Sequence, residues 1–263
     1  MLKKTIRGCV KKLQAPRSLV TSSDVFVVSY PKSGNTWLRF LLSNYFVQYF
    51  SIPLNVNWFT VQGLIPDVQV YRNLPANDLI SSRCGYRLLK THADYEAKIK
   101  RAVVLVRNPE DALLSCYKYF RLNGKIQSGL SLRQFVEEHP QGLNGWINHT
   151  NGWVGQYRIG SVIRFYRFED LRRNPHETMA EIIDLLGLEV CDDILNSAIE
   201  ASSLEAMAVS EKKHRSNAAL NLQNERFVGQ AKVGGGAEVM NDELIALIRE
   251  NTAEIRSNLG YNK

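Results

Sequence analysis

Asp24-Val25-Phe26-Val27-Val28-Ser29-Tyr30-Pro31-Lys32-Ser33-Gly34-Asn35-Thr36-Trp37-Leu38 is the stretch that decides how this chain folds. Residues 24 to 30 form an apolar, β-branched run of strand length, the pattern of a strand buried on both faces. Pro31 and Gly34 break the run, and a helix follows. A strand-to-helix turn of this kind aims free backbone N–H groups and the positive end of the helix dipole at one point, which makes an anion site. Gly34 permits close backbone approach, Lys32 brings a charge, and Ser33 and Thr36 bring hydroxyls. The Walker A order G-x-x-x-x-G-K-[ST] is not met, because Lys32 precedes the only glycine of the turn. An ATP kinase or GTPase is therefore disfavoured.

Three further runs read as buried strands: residues 86 to 90, 102 to 107 and 161 to 167. After Arg107, Asn108-Pro109-Glu110-Asp111 supplies a cap, a proline at the first helical position and two first-turn acids, predicting a helix to about Phe120. Asn174-Pro175-His176-Glu177 repeats the pattern, with Glu177 placed for a capping box and Gly187 for the stop. Residues 241 to 260 carry Leu244, Leu247, Ile248, Ile255 and Leu259 mostly on one stripe, a third helix. Strands alternating with helices predict a single α/β domain: a central parallel sheet flanked by helices, with a P-loop-like phosphate-binding turn after the first strand. Residues 50 to 85 and 121 to 155 mix Trp58, Phe59, Tyr71, Trp146 and Trp153 with Gly, Pro and Asn, and read as long decorated loops. Residues 205 to 236 are polar and glycine-rich and read as mobile loop.

With 263 residues, 44% of them hydrophobic, the chain can bury one large core. Its formal charge of +7 suits a phosphate- or sulfate-bearing partner. Part of the excess lies in Lys3, Lys4, Arg7, Lys11, Lys12 and Arg17, which no acid accompanies, so residues 1 to 23 read as a basic, solvated N-terminal arm before a domain of residues 24 to 263. A weak contact of that arm with a lipid surface is the lesser reading. The N-terminus lacks the apolar core of a secretory signal, and no stretch is long and apolar enough to span a membrane. Cys9, Cys84, Cys116 and Cys191 are scattered without metal-ligand or disulfide spacing, so a reducing, cytoplasmic setting and no metal are expected.

Tyr30-Pro31-Lys32-Ser33-Gly34-Asn35-Thr36-Trp37 resembles the Y-P-K-S-G-T-T-W loop of the cytosolic-type sulfotransferases, with Asn35 the one departure. Arg107-Asn108-Pro109-Glu110-Asp111 through Ser115 is similar to the R-x-P-x-D-x-x-x-S segment of that family, and Lys90-Thr91-His92 to its K-T-H. Looser likenesses cover Trp146 to His149, similar to a W-x-x-H loop, and Phe168-Glu169-Asp170-Leu171, where the family commonly has tyrosine in place of Phe168. The resemblance implies sulfuryl transfer from 3′-phosphoadenosine 5′-phosphosulfate (PAPS) without a metal, leaving adenosine 3′,5′-bisphosphate (PAP). It implies that Lys32 contacts the bridging oxygen, that Ser33, Gly34, Asn35 and Thr36 cradle the 5′-phosphate, and that Trp37 stacks on adenine. Arg107 and Ser115 reach the 3′-phosphate, His92 is the general base, and Lys90 joins Lys32 in offsetting charge. The family closes with R-K-G-x-x-G-x-W, whereas this chain has Gly229-Gln230-Ala231-Lys232-Val233-Gly234-Gly235-Gly236; Arg226 or Lys232 substitutes for the missing pair, and the glycines suggest a mobile lid.

The resulting expectation is transfer to a hydroxyl or amine of a small-molecule or glycan acceptor, its pocket built from the two aromatic-rich loops. One alternative is a phosphoryl-transfer enzyme of related fold, for which no magnesium-holding carboxylate or suitably placed lysine is visible. Another is a non-catalytic PAPS- or PAP-binding protein, motivated by the altered segment 229 to 236. Nucleic-acid binding is suggested by charge alone and is set aside.

Overall fold

The computed structural model describes residues 20–70, 79–155, 161–214 and 232–261. Chain order begins β1 (Val25–Ser29), α1 (Asn35–Tyr49), α2 (Thr60–Leu64), α3 (Ser81–Cys84), β2 (Leu88–Thr91), β3 (Arg101–Val106) and α4 (Pro109–Leu122). It continues with α5 (Leu132–Glu138), α6 (Leu143–Val154), β4 (Val162–Arg167), α7 (Phe168–Arg173), α8 (Pro175–Leu185) and α9 (Asp192–Ala201). Three helices complete it: α10 (Leu204–His214), α11 (Gly235–Val239) and α12 (Asp242–Asn258). The strands pair in parallel in the order β2-β1-β3-β4. All four expected strands are present within two residues of their expected limits, and the expected single α/β domain is what forms.

The sheet is covered on both faces, and β1 shows why its sequence is apolar throughout. Successive side chains of a strand point to opposite faces. Val25 and Val27 enter the core with α1, α8 and α9, while Phe26 and Val28 enter the one with α4, α6 and α12. From β1 the chain moves to one neighbour, β2, and from β3 to the opposite side, β4. The reversal lies between β1 and β3, where the carboxyl ends of a parallel sheet leave a crevice for ligand.

The helix grammar holds with one exception. Asn108 accepts from the Glu110 N–H at 3.0 Å and caps α4, and Asn241 accepts from Leu244 at 3.1 Å and caps α12. Gly187, at φ +79°, ends α8. The capping box expected at Asn174 does not form: the Asn174 side chain donates to the Glu177 carboxylate at 3.2 Å, so the two side chains satisfy each other instead of the backbone.

Three loop expectations are corrected. Residues 121–155 contain α5 and α6, and Trp146 and Trp153 are 0% and 1% exposed. The glycines that suggested a loop serve close packing. A Cβ on Gly142 would lie 2.3 Å from the Phe135 carbonyl oxygen, and one on Gly145 would lie 2.2 Å from that of Pro140. In residues 50–70, Trp58 is likewise core, its indole donating to the Met207 carbonyl at 3.3 Å; Tyr71 lies outside the described residues. In the 205–236 segment, residues to 214 continue α10 and 235 onward form α11, while 215–231 lie outside the described residues.

Helix α12 is bound to α4 by charge as well as by apolar packing. Glu110, 2% exposed, accepts from Arg249 at 3.0 Å and from Arg256 at 3.0 and 3.2 Å. Leu244, Ile248 and Ile255 bury the helix's inner face.

Candidate active site

The turn after β1 has the geometry an anion requires. Lys32 takes φ 64° and Gly34 φ 92°; the left-handed region costs a residue with a Cβ about 1–2 kcal/mol, so Lys32 is held there by its surroundings. α1 then starts at Asn35 with no side-chain cap, leaving its first-turn N–H groups facing the turn. Ser33 Oγ is buried with no hydrogen-bond partner. Such an atom wants a ligand oxygen or water. Asn35 does something else: its amide donates to the Val27 carbonyl at 3.2 Å, tying α1 to β1.

Phe168, on the first residue of α7, forms the floor. A Cβ on Gly34 would come within 2.4 Å of the Phe168 ring. The same ring lies 4.6 Å below the Arg107 guanidinium and meets Trp37 edge-on at 6.0 Å. Gly34→Ala therefore combines a disfavoured φ with overpacking, and is expected to cost about 1–3 kcal/mol, read as a drop of several degrees in Tm by thermal melting.

Arg107, at the end of β3 beside the turn, is 8% exposed. It donates to the Lys32 carbonyl at 3.1 Å and to the Lys232 carbonyl at 2.8 Å, and its Nε is buried without a partner. It thus links the turn to the glycine-rich segment. Asp111 completes the link by accepting from the N–H groups of Gly234 at 2.8 Å and Gly236 at 2.6 Å. A Cβ on Gly236 would be 2.4 Å from the Glu110 backbone. The glycines read as a mobile lid dock on α4 instead, Gly234 and Gly236 through the Asp111 carboxylate and Gly236 also against the Glu110 backbone. Lys232 offers Arg107 its carbonyl, and its ammonium pairs with Glu238. Ser115 is half-buried two turns into α4. Arg226 lies outside the described residues, as do Gly229 to Ala231.

Trp37 is 9% exposed, its indole donating to the Ser202 carbonyl at 2.9 Å, with Arg172 5.8 Å from its ring. Lys32 Nζ lies 4.4 Å from the Tyr119 ring centroid.

His92 follows β2 and leans back over the end of β1. Its Nδ1 is 2.7 Å from the Ser29 carbonyl oxygen. A carbonyl only accepts, so Nδ1 carries the proton and Nε2 keeps its lone pair. Burial, and then the neighbouring Lys90 charge, hold the imidazole well below the ordinary histidine range. Lys90 itself is tied to Asp67 at 2.5 Å. His149, on α6, packs edge-on against Tyr30 at 5.7 Å with its Nε2 unpartnered, and burial pushes it down to about 4.

Lys32, His92 and Arg107 thus stand at the ends of three adjacent strands, β1, β2 and β3. Residues 22–258 match the sulfotransferase domain family. The chain belongs to this family. Among curated sulfotransferases it is 24% identical over 233 residues to sulfotransferase 2A2 of Mus musculus, covering 84% of this chain and 76% of that one. It is 26% identical over 200 residues to the amine sulfotransferase of Oryctolagus cuniculus, covering 72% and 64%. Two solved structures share the fold. One is a mouse sulfotransferase complexed with PAP, with TM-score 0.65, 20% identity and coverage of 91% and 90%. The other is retinol dehydratase with androsterone and the inactive cofactor PAP, with TM-score 0.66, 16% identity and coverage of 91% and 81%.

Sequence reasoning gave no role in this candidate site to three residues. Asp67 sits in a stretch without periodicity, Phe168 stood out only as a departure from the family's tyrosine, and Asp111 only as a first-turn acid within the R-x-P-x-D-x-x-x-S likeness. No helix among the described residues is long and apolar enough to cross a membrane.

Proposed function

We propose that this sulfotransferase transfers the sulfuryl group of PAPS in line to a hydroxyl or amine of a small-molecule or glycan acceptor, with His92 as general base. The observation carrying the proposal is the convergence of Lys32, Arg107 and His92 on adjacent strand ends around a turn with unmatched donors. PAPS, when bound, supplies the activated sulfuryl group. The residues fit it: the turn offers the N–H groups from Gly34 to Thr36 and the unpartnered Ser33 hydroxyl to the 5′-phosphate, and Lys32 offers its charge to the bridging oxygen. Arg107 can exchange two neutral carbonyl acceptors for a 3′-phosphate, a better partner for a guanidinium. Ser115 is placed for the same group, Trp37 for the adenine, and Lys232 and Arg226 for closure of the 3′ side. His92 accepts the acceptor's proton at Nε2, while Lys90 offsets negative charge nearby.

Trp58, Trp146 and Trp153 are core residues, which leaves the expected acceptor pocket to the other residues of the two aromatic-rich segments, Gln69 and His149 among them beside His92. The acceptor approaches His92 Nε2. A cytoplasmic setting, with Cys84, Cys116 and Cys191 as free thiols, belongs to the same proposal.

PAP is expected to raise Tm without added magnesium, because a ligand bound only by the folded state stabilises it by mass action. Magnesium-ATP is expected to protect less; equal or greater protection by ATP would favour phosphoryl transfer instead. Transfer of labelled sulfuryl from PAPS across a panel of phenols, alcohols, amines and sugars then tests turnover. Protection by PAP with no transfer to any of them would favour a non-catalytic binder, a reading motivated by Glu238 holding the Lys232 ammonium.

A further inference from the structure

Residues 66–69 lie along the outer edge of β2 as a short strap. The Lys90 N–H donates to the Pro66 carbonyl at 2.8 Å, and the Val68 N–H donates to the Lys90 carbonyl at 3.0 Å. Asp67, within the strap, uses both carboxylate oxygens: one accepts from Lys90 Nζ at 2.5 Å and the other from the Gln69 N–H at 2.9 Å. Gln69 in turn accepts from the His92 N–H at 3.3 Å. The Asp67 and Lys90 side chains are only 13% and 8% exposed.

A buried ion pair is a poor way to stabilise a fold, since desolvating both charges generally costs as much as their attraction returns, and apolar residues of similar size do as well or better. Its place in this fold therefore asks for another reason. The neighbour on the chain supplies one: two residues beyond Lys90 stands the candidate base.

We propose that Asp67 is a positioning residue for sulfuryl transfer, fixing the Lys90 ammonium beside His92 through this buried pair. The proposal rests on the function argued above. Burial pushes Lys90 toward losing its proton, and Asp67 opposes that, with Arg39 on α1 the other charge acting on it. Burial first, and then the charged Lys90, hold His92 unprotonated, with weaker influences from His149 on α6 and from Arg39, while the Ser29 carbonyl acts the other way. Asp67 thereby sets the state of both groups without touching the reacting atoms.

The test is Asp67→Asn, read in three ways. Imidazole NMR titration should show His92 moving up by about one pH unit or more as Lys90 loses its charge. Transfer to the best acceptor of the panel should fall about tenfold or more at neutral pH, with both limbs of the kcat/KM profile moving inward, the acid limb with His92 and the alkaline limb with Lys90. PAP affinity should hold. Asp67→Glu should recover most of the transfer. If Asp67→Asn does not fold, the double variant Asp67→Leu with Lys90→Met takes its place, with the same expected rise in the His92 titration. A His92 titration that stays put or moves down, or a lowered plateau with unmoved limbs, overturns the proposal. Because the titration needs no acceptor, it judges Asp67 even where loss of PAP protection or of all transfer in the unaltered protein overturns the sulfotransfer reading.

Discussion

His92→Ala is expected to lower sulfuryl transfer by about 10²–10⁴-fold in kcat while PAP affinity stays within about twofold. A general base acts on the acceptor's proton in the transition state and makes no contact that holds the nucleotide in the ground state. The geometry adds a finer expectation. Ser29 fixes the proton on Nδ1, so Nε2 is the working atom at any pH where the ring is neutral. Since burial and Lys90 hold the ring below the ordinary histidine range, the acid limb of kcat/KM should lie below pH ~6.5. The stability consequence has the same sign. A histidine whose folded pKa is depressed contributes stability in full above its unfolded value, and loses it as pH falls toward the folded one. His149, pushed down to about 4, adds to that acid-side loss. Rate measurements across pH with the best acceptor, alongside calorimetry with PAP, check both halves. Turnover near that of the unaltered enzyme in His92→Ala would show that another group takes the proton.

Arg107→Ala is expected to weaken PAP by about 10–150-fold, the equivalent of one charge-assisted donor worth about 1.5–3 kcal/mol. Adenosine 5′-phosphosulfate, which has no 3′-phosphate, should lose far less. Arg107 has a second occupation, since it bonds the Lys32 and Lys232 carbonyls. Removing it therefore also loosens the turn, and this part of the loss falls on both nucleotides alike. Calorimetry with the two ligands separates the contributions: an equal loss would mean that Arg107 acts through the turn alone. Lys232→Ala should show the same selectivity more mildly, because its ammonium must first leave Glu238.

The legible parts of this molecule were those with a local physical signature. The strand from Val25 to Ser29 announces itself because both faces are buried, and α4 because Asn108, Pro109 and two acids stand in the order a helix start demands. The turn from Lys32 to Thr36 could be read for the same reason. What escaped depends on partners distant in sequence. Gly142, Gly145 and Gly236 looked like freedom and are instead points where one backbone lies on another, which no local pattern encodes. Asp67 looked like a loop acid until the strap brought it to Lys90 across 23 residues. Phe168 differs from its family's habit by one oxygen, and its role under Gly34 and Arg107 emerges only once three elements converge.

The pairing of Glu110 with Arg249 and Arg256 bears on how this fold tolerates truncation. Removing α12 would strand a buried carboxylate at the start of α4 with neither cation, a loss of about 3–5 kcal/mol for breaking a buried pair, and would uncover the apolar groove that α12 fills. That helix start also carries Asp111, which docks the glycine-rich segment, and it follows Arg107 directly. A chain cut just before α12 should therefore be as inactive as one cut far earlier, although every residue proposed to touch PAPS would still be present.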